Sequence, residues 1–452
     1  MQGSCCLAFH AILPSMPALA GFARIARALR TPNYRIYVAG NSVSLVGTWM
    51  QRVAVGWLTW QLTESGAWLG AIAFADLFPT VLIGPFAGAA ADRWDRRRAL
   101  RLGQSIMLAQ ALVLFALTAS GLITIWLLLA LTLFNGVVIA FNQPTRLALI
   151  PSLVARDDLA AAVATNSIIF NSARFVGPAA AGVVIVIGGV AAAFAANAAC
   201  TAALVVALSR IRLAPDEDNG APRHGNLLAE VAEGLGYAAR HPGIAPLLLL
   251  LLAVGLCARP FVELLPGFAD AVFDAGAEGL ATMTSTVGLG AIAGGLWLAR
   301  RDGHRGLTSV ALASPLVLAL ALAGFVSSER LWLALPALAV AGVAMVAGGV
   351  GTQTLLQLAV EGRLRGRVLS LYGLIFRGGP ALGALAMGAL SEVYGLRLPL
   401  AAGACLAALA GVAAWTRRNA IAAALEPSGE TPDSRQDAKA GGSAATGEAE
   451  GR

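Results

Sequence analysis

Charged residues are scarce in this sequence, at 13% of the chain, where an average soluble protein has about 25%. Lysine is nearly missing, because Lys439 is the one lysine and arginine supplies the other basic charges. Hydrophobic residues instead make up 58% of the chain, and its mean hydropathy is +0.73. A soluble protein of 452 residues would have to hide this nearly continuous apolar sequence in several domains. The composition therefore favours a membrane protein.

The sequence also lacks the common motifs of catalysis and metal binding. It contains no GxxxxGK[ST] loop for nucleotide phosphates and no HExxH zinc motif, and its four histidines are scattered. Cys5 and Cys6 are adjacent, and the other three cysteines stand alone in apolar runs, which is not metal-ligand spacing. The net charge of +7 lies in short arginine clusters between apolar runs, which argues against a nucleic-acid partner. We therefore predict neither an enzyme nor a protein with a metal or organic cofactor.

Twelve apolar segments are long enough to cross a bilayer, whose hydrocarbon core needs about 20 apolar residues per helix. In chain order they are residues 35–61, 67–90, 99–119, 123–144, 160–187, 190–209, 244–269, 279–299, 307–327, 331–354, 367–391 and 396–416. The joints at 188–190 and 328–331 are the weakest. We predict an all-α membrane protein with twelve transmembrane helices.

Arginine clusters and arginine-poor loops alternate along these segments. The clusters comprise Arg24, Arg27, Arg30 and Arg35, then Arg93, Arg96, Arg97, Arg98 and Arg101, then Arg146 and Arg156, then Arg210, Arg212, Arg223 and Arg240, then Arg300, Arg301 and Arg305, then Arg363, Arg365 and Arg367, and finally Arg417 and Arg418. Of the alternate loops, only two contain an arginine, Arg330 and Arg397. Because short cytoplasmic loops carry the arginine excess, both termini are predicted to be cytoplasmic.

The segments group into two six-helix bundles, at 34–210 and 244–418. Between them, residues 211–243 form a polar cytoplasmic loop in which the apolar spacing over 226–240 predicts an amphipathic helix. We interpret residues 1–33 as a cytoplasmic extension, because the leader-like stretch at 7–20 lacks a positively charged start. The tail at 419–452 is rich in small and acidic residues and is predicted to be disordered.

Two sequence pairs at a shared offset indicate that the bundles are repeats. Arg174 precedes Gly177-Pro178 in the fifth segment, and Arg377 precedes Gly379-Pro380 in the eleventh, 202–203 residues later. We therefore expect two pseudo-symmetric bundles. Transporters use parallel repeats of this kind, with a binding site at the repeat interface.

Several segments resemble the major facilitator superfamily. Gly88-Ala-Ala-Ala-Asp92-Arg93-Trp-Asp-Arg96-Arg97-Arg98 resembles the signature loop between its helices two and three, and Gly177-Pro178-Ala-Ala-Ala-Gly182 resembles its antiporter motif, one glycine short. A narrower resemblance, over about residues 30–415, rests on Thr48-Trp-Met-Gln51, Gln143-Pro-Thr-Arg-Leu-Ala-Leu-Ile-Pro151, Glu233-Gly-Leu-Gly-Tyr237 with His241-Pro242, and Arg365-Gly-Arg-Val-Leu-Ser-Leu-Tyr372. These segments are similar to the branch that contains the enterobactin exporter and related drug and siderophore exporters.

The resemblance implies that the signature loop is a conformational latch. It places Asp92 against the start of helix eleven, where a carboxylate gains about 0.3–1 kcal/mol, while the cytoplasmic side is closed. Gly88 allows close helix approach, and Arg93 belongs with Asp92. Two further loop arginines are candidates, Arg96 and Arg97. The alternative is that the loop arginines only set the topology.

The antiporter-like motif has two interpretations. Pro178 removes a backbone donor and Gly177 thins the helix surface, and Gly182 follows one turn after Pro178. The motif is either a tightly packed kink or, as the resemblance implies, a bending point that favours export.

Charged side chains inside the membrane have a high free-energy cost and commonly serve a function. Arg52 and Asp76 each lie 12 residues from Glu64 in the first turn, so two antiparallel helices would bring them to the same depth. We predict an Arg52–Asp76 ion pair, with Asp76 either a proton-coupling site or part of a permanent structural pair.

Other polar residues are candidates to line a substrate cavity. Arg174 and Arg377 would bind either an anionic substrate or the backbone carbonyls beside their Gly-Pro breaks. Arg259 and Glu263 are spaced one turn apart and are expected to pair with each other. Gln51 is a further cavity candidate. Four asparagines of the fourth and fifth segments would line the cavity or form interhelical hydrogen bonds, namely Asn135, Asn142, Asn166 and Asn171.

These observations predict a secondary active transporter, a proton-coupled exporter of a drug-like compound or siderophore that works by alternating access. The alternatives are an uptake carrier of the same fold, or a polytopic sensor or accessory protein that transports nothing. The expected partners are the small-molecule substrate and the lipid bilayer, and we expect a monomer. The resemblance implies a bacterial inner-membrane location, with the proton gradient as the driving force and no bound cofactor.

Overall fold

The structure is a computed structural model that describes residues 26–91, 95–212, 227–301, 306–360 and 362–426. Over these ranges the chain is almost entirely helical and contains no strand. The signature-loop residues Asp92 and Arg93 lie outside the described residues, as do most of the predicted N-terminal extension and C-terminal tail.

The first half contains six long helices. They are α1 (Pro32–Thr63), α2 (Gly66–Ala91), α3 (Arg96–Ala119), α4 (Ile125–Leu149) and a continuous segment, Leu159–Arg210, that divides at Gly189 into α5 (159–188) and α6 (190–210). Gly189 has φ 74° and ψ 178°, a backbone conformation that glycine adopts readily and other residues rarely. The predicted weak joint at 188–190 is therefore a turn between two antiparallel helices.

Local sequence explains where these helices begin. Proline at the first position of α1 needs no hydrogen-bond partner for its nitrogen. Asp95 caps α3 by accepting a hydrogen bond from the Arg98 backbone N–H at 2.7 Å, and the Thr124 side chain accepts from Leu127 N–H at the start of α4.

The described residues resume at the short helix α7 (Leu227–Arg240), which lies where the helix of the central loop was predicted. The longer helices that follow are α8 (Ile244–Cys257), α9 (Phe261–Gly267) continued by a π-helical turn (Phe268–Val272), α10 (Gly276–Ala299), α11 (Leu307–Ser327), α12 (Leu331–Ala359), α13 (Gly362–Tyr394) and α14 (Arg397–Thr416), with a terminal α15 (Arg418–Leu425). The predicted seventh span is thus interrupted after Cys257, where Pro260 cannot continue the backbone hydrogen bonds of α8.

Ten helical segments of the described chain are long and apolar enough to cross a membrane. One of them is Arg156–Arg210, which contains both α5 and α6. The 32-residue helix α1 is not among the ten, because polar residues such as Asn41 and Arg52 lower its hydropathy. The protein is an all-α, multi-pass membrane protein.

Two predicted boundaries need correction. The C-terminal tail was expected to be disordered from residue 419, but α15 is helical, with Ile421 and Leu425 buried because they lie one turn apart on its apolar side. Glu426 then accepts hydrogen bonds from the backbone N–H groups of Gly306 and Thr308 at 2.9 and 2.8 Å, which fixes α15 to the start of α11.

The N-terminal extension was predicted to reach residue 33. Within it, Ala28 is fully buried and Arg27 forms a 2.8 Å ion pair with Asp158, so its last residues pack on the bundle.

The buried core has a different organisation at the two ends of the molecule. We call the end that holds the turns at 64–65, 273–275, 328–330 and 395–396 the arginine-poor end, and the opposite end the arginine-rich end. At the arginine-poor end, one continuous core joins helices from both halves, including α1, α2, α9 and α13. At the arginine-rich end, the core divides into two clusters, one within each half. The halves therefore pack tightly together at the arginine-poor end.

Candidate functional site

The predicted pair between α1 and α2 forms, and a third residue joins it. Arg52 Nη1 lies 3.7 Å from Asp76 Oδ2, while Arg52 Nη2 donates a hydrogen bond to Glu263 Oε1 of α9 at 2.8 Å. Between 18% and 32% of each of these three side chains is exposed. Arg52 is therefore shared between two carboxylates, and its shorter bond connects the two halves of the chain.

The predicted Arg259–Glu263 pair is wrong. The spacing of four residues assumed an uninterrupted helix, but the chain breaks between α8 and α9 at Ala258–Pro260. Arg259 instead donates a hydrogen bond to the Phe376 carbonyl at 3.3 Å, and its guanidinium carbon lies 4.0 Å from the centroid of the Phe376 ring. Arg259 thus contacts α13, and Glu263 is left to pair with Arg52.

Arg174 and Arg377, the repeat-related arginines, lie around the same centre. Trp49 has the guanidinium carbons of Arg52 and Arg174 each 5.6 Å from its ring centroid. Arg377 lies between Phe376, whose ring contacts Arg259, and Gly378, where an added Cβ would lie 3.4 Å from Val81 of α2. Among the described residues, neither Arg174 nor Arg377 donates a side-chain hydrogen bond to a backbone carbonyl, which was one of the two roles considered for them.

Six charged residues therefore form one group, which we call the arginine cluster: Arg52, Asp76, Arg174, Arg259, Glu263 and Arg377. Helices α1, α2, α5, α9 and α13 each contribute one member, and Arg259 lies in the break between α8 and α9. All six side chains are partly exposed. The arginine cluster thus brings charged side chains of both halves together.

The amide candidates Gln51, Asn142 and Asn171 do not belong to this cluster. Gln51 is 7% exposed and joins three helices: it accepts a hydrogen bond from Asn197 at 2.5 Å and donates one to Gln110 at 3.2 Å. Asn142 is buried between α3 and α4, where it contacts the sulfur of Met107. Asn171 is exposed and bonds to a carbonyl of its own helix. Asn142 thus makes the interhelical contact that was its alternative interpretation, and Gln51, predicted to line the cavity, forms interhelical hydrogen bonds.

The antiporter-like motif lies at close helix contacts. A Cβ added at Gly177 would lie 2.4 Å from Trp49 Cβ, and one at Gly182 would lie 2.1 Å from Ala281 Cβ. Pro178 lies inside α5, which stays helical on both sides of it. The motif therefore packs α5 against α1 within the first half and against α10 of the second half.

The described part of the signature loop makes contacts within the first half. Gly88 lies in the last turns of α2. Arg96 donates to the Ser152 hydroxyl at 3.4 Å, and Arg97 donates to the Ile211 carbonyl at 2.5 Å, just beyond the end of α6. A cation is favourable at a helix C-terminus. Arg97 therefore has a packing role in addition to any topological one.

Glycines hold α2 and α13 together at the arginine-poor end. A Cβ at Gly70 would lie 2.3 Å from the Ala384 carbonyl oxygen, and one at Gly388 would lie 2.3 Å from the Gly66 carbonyl oxygen. Close backbone approach of this kind requires glycine. We call this contact, together with the 2.9 Å hydrogen bond from Trp60 Nε1 to Asp270 Oδ2, the seal.

Glu392, at the end of α13, is a member of the seal that the sequence analysis missed. Its carboxylate accepts hydrogen bonds from the Ser65 hydroxyl at 2.6 Å and from the Ala67 backbone N–H at 3.0 Å, at the first turn of α2. The first N–H groups of a helix have no partner within the helix, and the helix dipole favours negative charge there. Glu392 of one half therefore caps a helix of the other half.

Replacing Glu392 with alanine is expected to raise the ratio of open to closed seal by about two- to fivefold. The reason is that an exposed carboxylate at a helix N-terminus contributes about 0.3–1 kcal/mol to stability. Glu392→Gln, which keeps an acceptor oxygen but loses the charge, should fall between alanine and wild type. The measurement is the rate at which a maleimide labels Ser391→Cys, a position that is 8% exposed in this structure. Glu329→Gln removes a charge at the same end without touching α2 and serves as the control. Unchanged labelling in Glu392→Ala would contradict the capping role.

Known proteins resemble this chain in sequence and in fold. Residues 25–439 match the protein family described as transmembrane secretion effector. The Staphyloferrin A transporter of Staphylococcus aureus is 23% identical over 363 residues, which cover 80% of this chain and 90% of that protein. Macrolide efflux protein A of Streptococcus pyogenes is 23% identical over 343 residues, which cover 75% of this chain and 84% of the relative.

Solved structures of transporters share the fold. A bacterial homologue of the lysosomal transporter Spinster, in an inward-facing and unoccupied conformation, superposes with a TM-score of 0.70 at 14% identity and covers 89% of this chain and 99% of its own. The xylose transporter of E. coli in an inward-open conformation gives a TM-score of 0.63 at 13% identity, with coverage of 89% and 99%. Because the family match spans nearly the whole chain, the protein belongs to the transmembrane secretion effector family of the major facilitator superfamily and is a membrane transporter, not an enzyme.

Proposed function

We propose that this protein is a proton-coupled exporter of a small organic molecule, of the drug or siderophore type, that works by alternating access. Its membrane domain would have twelve spans in two pseudo-symmetric bundles, counting α5 and α6 separately, α8 with α9 as one span, and α1 as the first. The arginine distribution supports cytoplasmic termini, and a bacterial inner membrane fits this arrangement.

The divided core is the observation that carries alternating access. The halves share one core at the arginine-poor end and have separate cores at the arginine-rich end. A carrier needs two such states that differ in which end is closed, and a ligand shifts their populations. In the orientation proposed here, the seal closes the external side, and the arginine cluster is reached from the cytoplasm.

The shared guanidinium supports a proton-coupling role for Asp76. Arg52 bonds to Glu263 at 2.8 Å but approaches Asp76 only to 3.7 Å. Asp76 is therefore the more weakly held carboxylate, and its neutralisation by a proton leaves the Arg52–Glu263 bond between the halves intact. Proton binding at Asp76 would change the charge beside Arg377 without breaking that bond.

Two features of the relatives favour export. One relative is described as an efflux protein and the family as a secretion effector. The uptake alternative uses the same fold, as the xylose–proton symporter among the structural relatives shows for that protein. A sensor or accessory protein without transport would have no need for a seal between halves whose cores separate at the other end.

Neutralising Asp76 tests the coupling. In everted membrane vesicles with an acidic interior, we expect the wild type to accumulate at least one of three probes, namely erythromycin, rhodamine 123 and fluorescein. Asp76→Asn should abolish accumulation driven by the proton gradient but retain exchange of labelled for unlabelled probe, because the Arg52–Glu263 bond remains. Glu329→Gln, an exposed carboxylate at the arginine-poor end, is the matched control and should accumulate the probe normally.

Each alternative has its own result in the same assay. Undiminished gradient-driven accumulation by Asp76→Asn would end the proton role of this residue. Probe movement out of the everted vesicles would identify an uptake carrier. No movement of any probe in any direction would favour a protein that senses rather than transports.

A further inference from the structure

We propose that the arginine cluster is the binding site for an organic dianion whose apolar part lies toward a small apolar pocket between α8, α11, α12 and α13. This inference rests on the proposed transport function and specifies the chemical class of its substrate. It follows from three observations: the charge of the cluster, the hydrogen-bond donors it leaves free, and the adjoining apolar pocket.

The charges of the cluster do not balance. It contains four arginines and two carboxylates, so its formal charge is +2 with both carboxylates ionised. Unbalanced charge at membrane depth is expensive unless a partner compensates it. A bound dianion would bring the sum to zero, whereas a cation would raise it further. The cluster therefore discriminates by the sign of the ligand's charge.

The arginines also have N–H donors that are available to a ligand. Each guanidinium carries five N–H donors. Arg52 uses its donors on carboxylates, and Arg259 uses one on the Phe376 carbonyl. Arg174 and Arg377 make no side-chain hydrogen bond or ion pair with any described residue, and Trp49 holds Arg174 by a cation–π contact. Planar guanidiniums fixed in this way suit the bidentate binding of carboxylates.

A mostly apolar pocket opens beside the cluster. Its walls include Arg259 and Phe376, which also belong to or contact the cluster, together with Leu250, Val254, Pro315 and Met345. The remaining polar side chains among its lining residues are two hydroxyls, Ser314 and Thr352. A ligand that places its charges on the arginines would therefore reach an apolar surface with its next atoms. The pocket is small, so an organic anion would place an apolar group against it, whereas a small inorganic anion would use only the charged part.

Two dyes with one skeleton and opposite charge test the proposal. Fluorescein is a dianion in mildly alkaline buffer and rhodamine 123 is a cation, and both contain the same three-ring system. We expect fluorescein to bind to the detergent-purified full-length protein, as measured by fluorescence anisotropy, and rhodamine 123 to bind at least about tenfold more weakly, since one charge-assisted contact changes affinity by about that factor. Sodium chloride and phosphate should displace fluorescein only at concentrations far above its own.

Two substitutions locate the site. Arg377→Gln and Arg174→Gln should each weaken fluorescein binding by about tenfold or more, and Arg377→Lys should restore part of the affinity because it keeps the charge. Arg300→Gln, which removes an exposed arginine outside the cluster, should bind as the wild type does. Because Arg174 packs on Trp49, the Arg377 variants keep the test valid if Arg174→Gln fails to fold.

Four outcomes would overturn the dianion site. The first three are tighter binding of rhodamine 123 than of fluorescein, equal fluorescein binding by Arg377→Gln and wild type, and displacement of fluorescein by chloride at equal concentration. The fourth is absence of binding by both dyes. The transport assay tests the proposed export independently of this binding assay. If the anion site is overturned, gradient-driven movement of rhodamine 123 or erythromycin would still support export.

Discussion

Replacing Arg52 with glutamine is expected to cost more stability than any other single substitution in the arginine cluster. The change leaves Asp76 and Glu263 without their ion-pair partner, and removal of one member of a buried pair costs about 3–5 kcal/mol. The side chains here are between 18% and 32% exposed, which places the expected loss toward the lower end of that range. Thermal unfolding of the purified protein in lipid nanodiscs would measure it.

A double variant shows whether the stability loss comes from unbalanced charge or from lost packing. Arg52→Gln combined with Glu263→Gln removes one charge of each sign, so we expect the double variant to recover much of the stability lost in the single variant. Arg300→Gln, outside the cluster, should unfold at nearly the wild-type temperature. No recovery in the double variant would show that Arg52 acts through its packing on Trp49 and not through its charge.

Replacing Gly70 with leucine is expected to abolish transport by preventing the seal from closing. Even a Cβ at this position would lie 2.3 Å from the Ala384 carbonyl oxygen, and backbone atoms of α13 cannot move aside as a flexible side chain would. The variant should populate the conformer that is open at the arginine-poor end, with faster maleimide labelling of Ser391→Cys. Gradient-driven accumulation of the transported probe should fall by about tenfold or more, since a state penalised by more than 1.4 kcal/mol is populated tenfold less.

The same helix supplies the control for this experiment. No described atom lies within 4 Å of the position that a Cβ would take at Gly84, which is also in α2. Gly84→Leu adds the same side chain to the same helix and should transport and label like the wild type. Equal loss of transport in both variants would mean that α2 tolerates no added bulk anywhere, and the seal would not be the reason for the effect.

Much of the helical framework follows from the sequence because it depends on local properties. The apolar runs predicted the helices closely, and Gly188-Gly189 marked the turn inside the segment Leu159–Arg210. The Arg52–Asp76 pair was also predictable, because α1 and α2 are joined by a short turn and equal spacing from Glu64 fixes equal depth. These inferences needed no information about contacts between distant parts of the chain.

The parts of the site that were missed depend on contacts between the halves. Glu263 is 211 residues from Arg52 in sequence, and its spacing from Arg259 suggested a nearer partner. Glu392 lies 325 residues from the Ala67 N–H that it accepts, and a carboxylate at the end of a span carries no local sign of a partner. Pro260 indicates a break in the seventh helix. The sequence does not indicate which helix faces pack against each other.

Helix α13 extends to similar lengths on either side of a close contact with α8. That contact is at Gly379, where a Cβ would lie 3.2 Å from Gly255 of α8. On one side the helix extends about 20 Å to Glu392 in the seal, and on the other about 18 Å to Arg367, which pairs with Glu233 of α7, at 1.5 Å per residue. A tilt that withdraws Glu392 from α2 would therefore displace Arg367 by nearly the same distance in the opposite direction. Helix α7, which holds Glu233, would then move together with this end of α13.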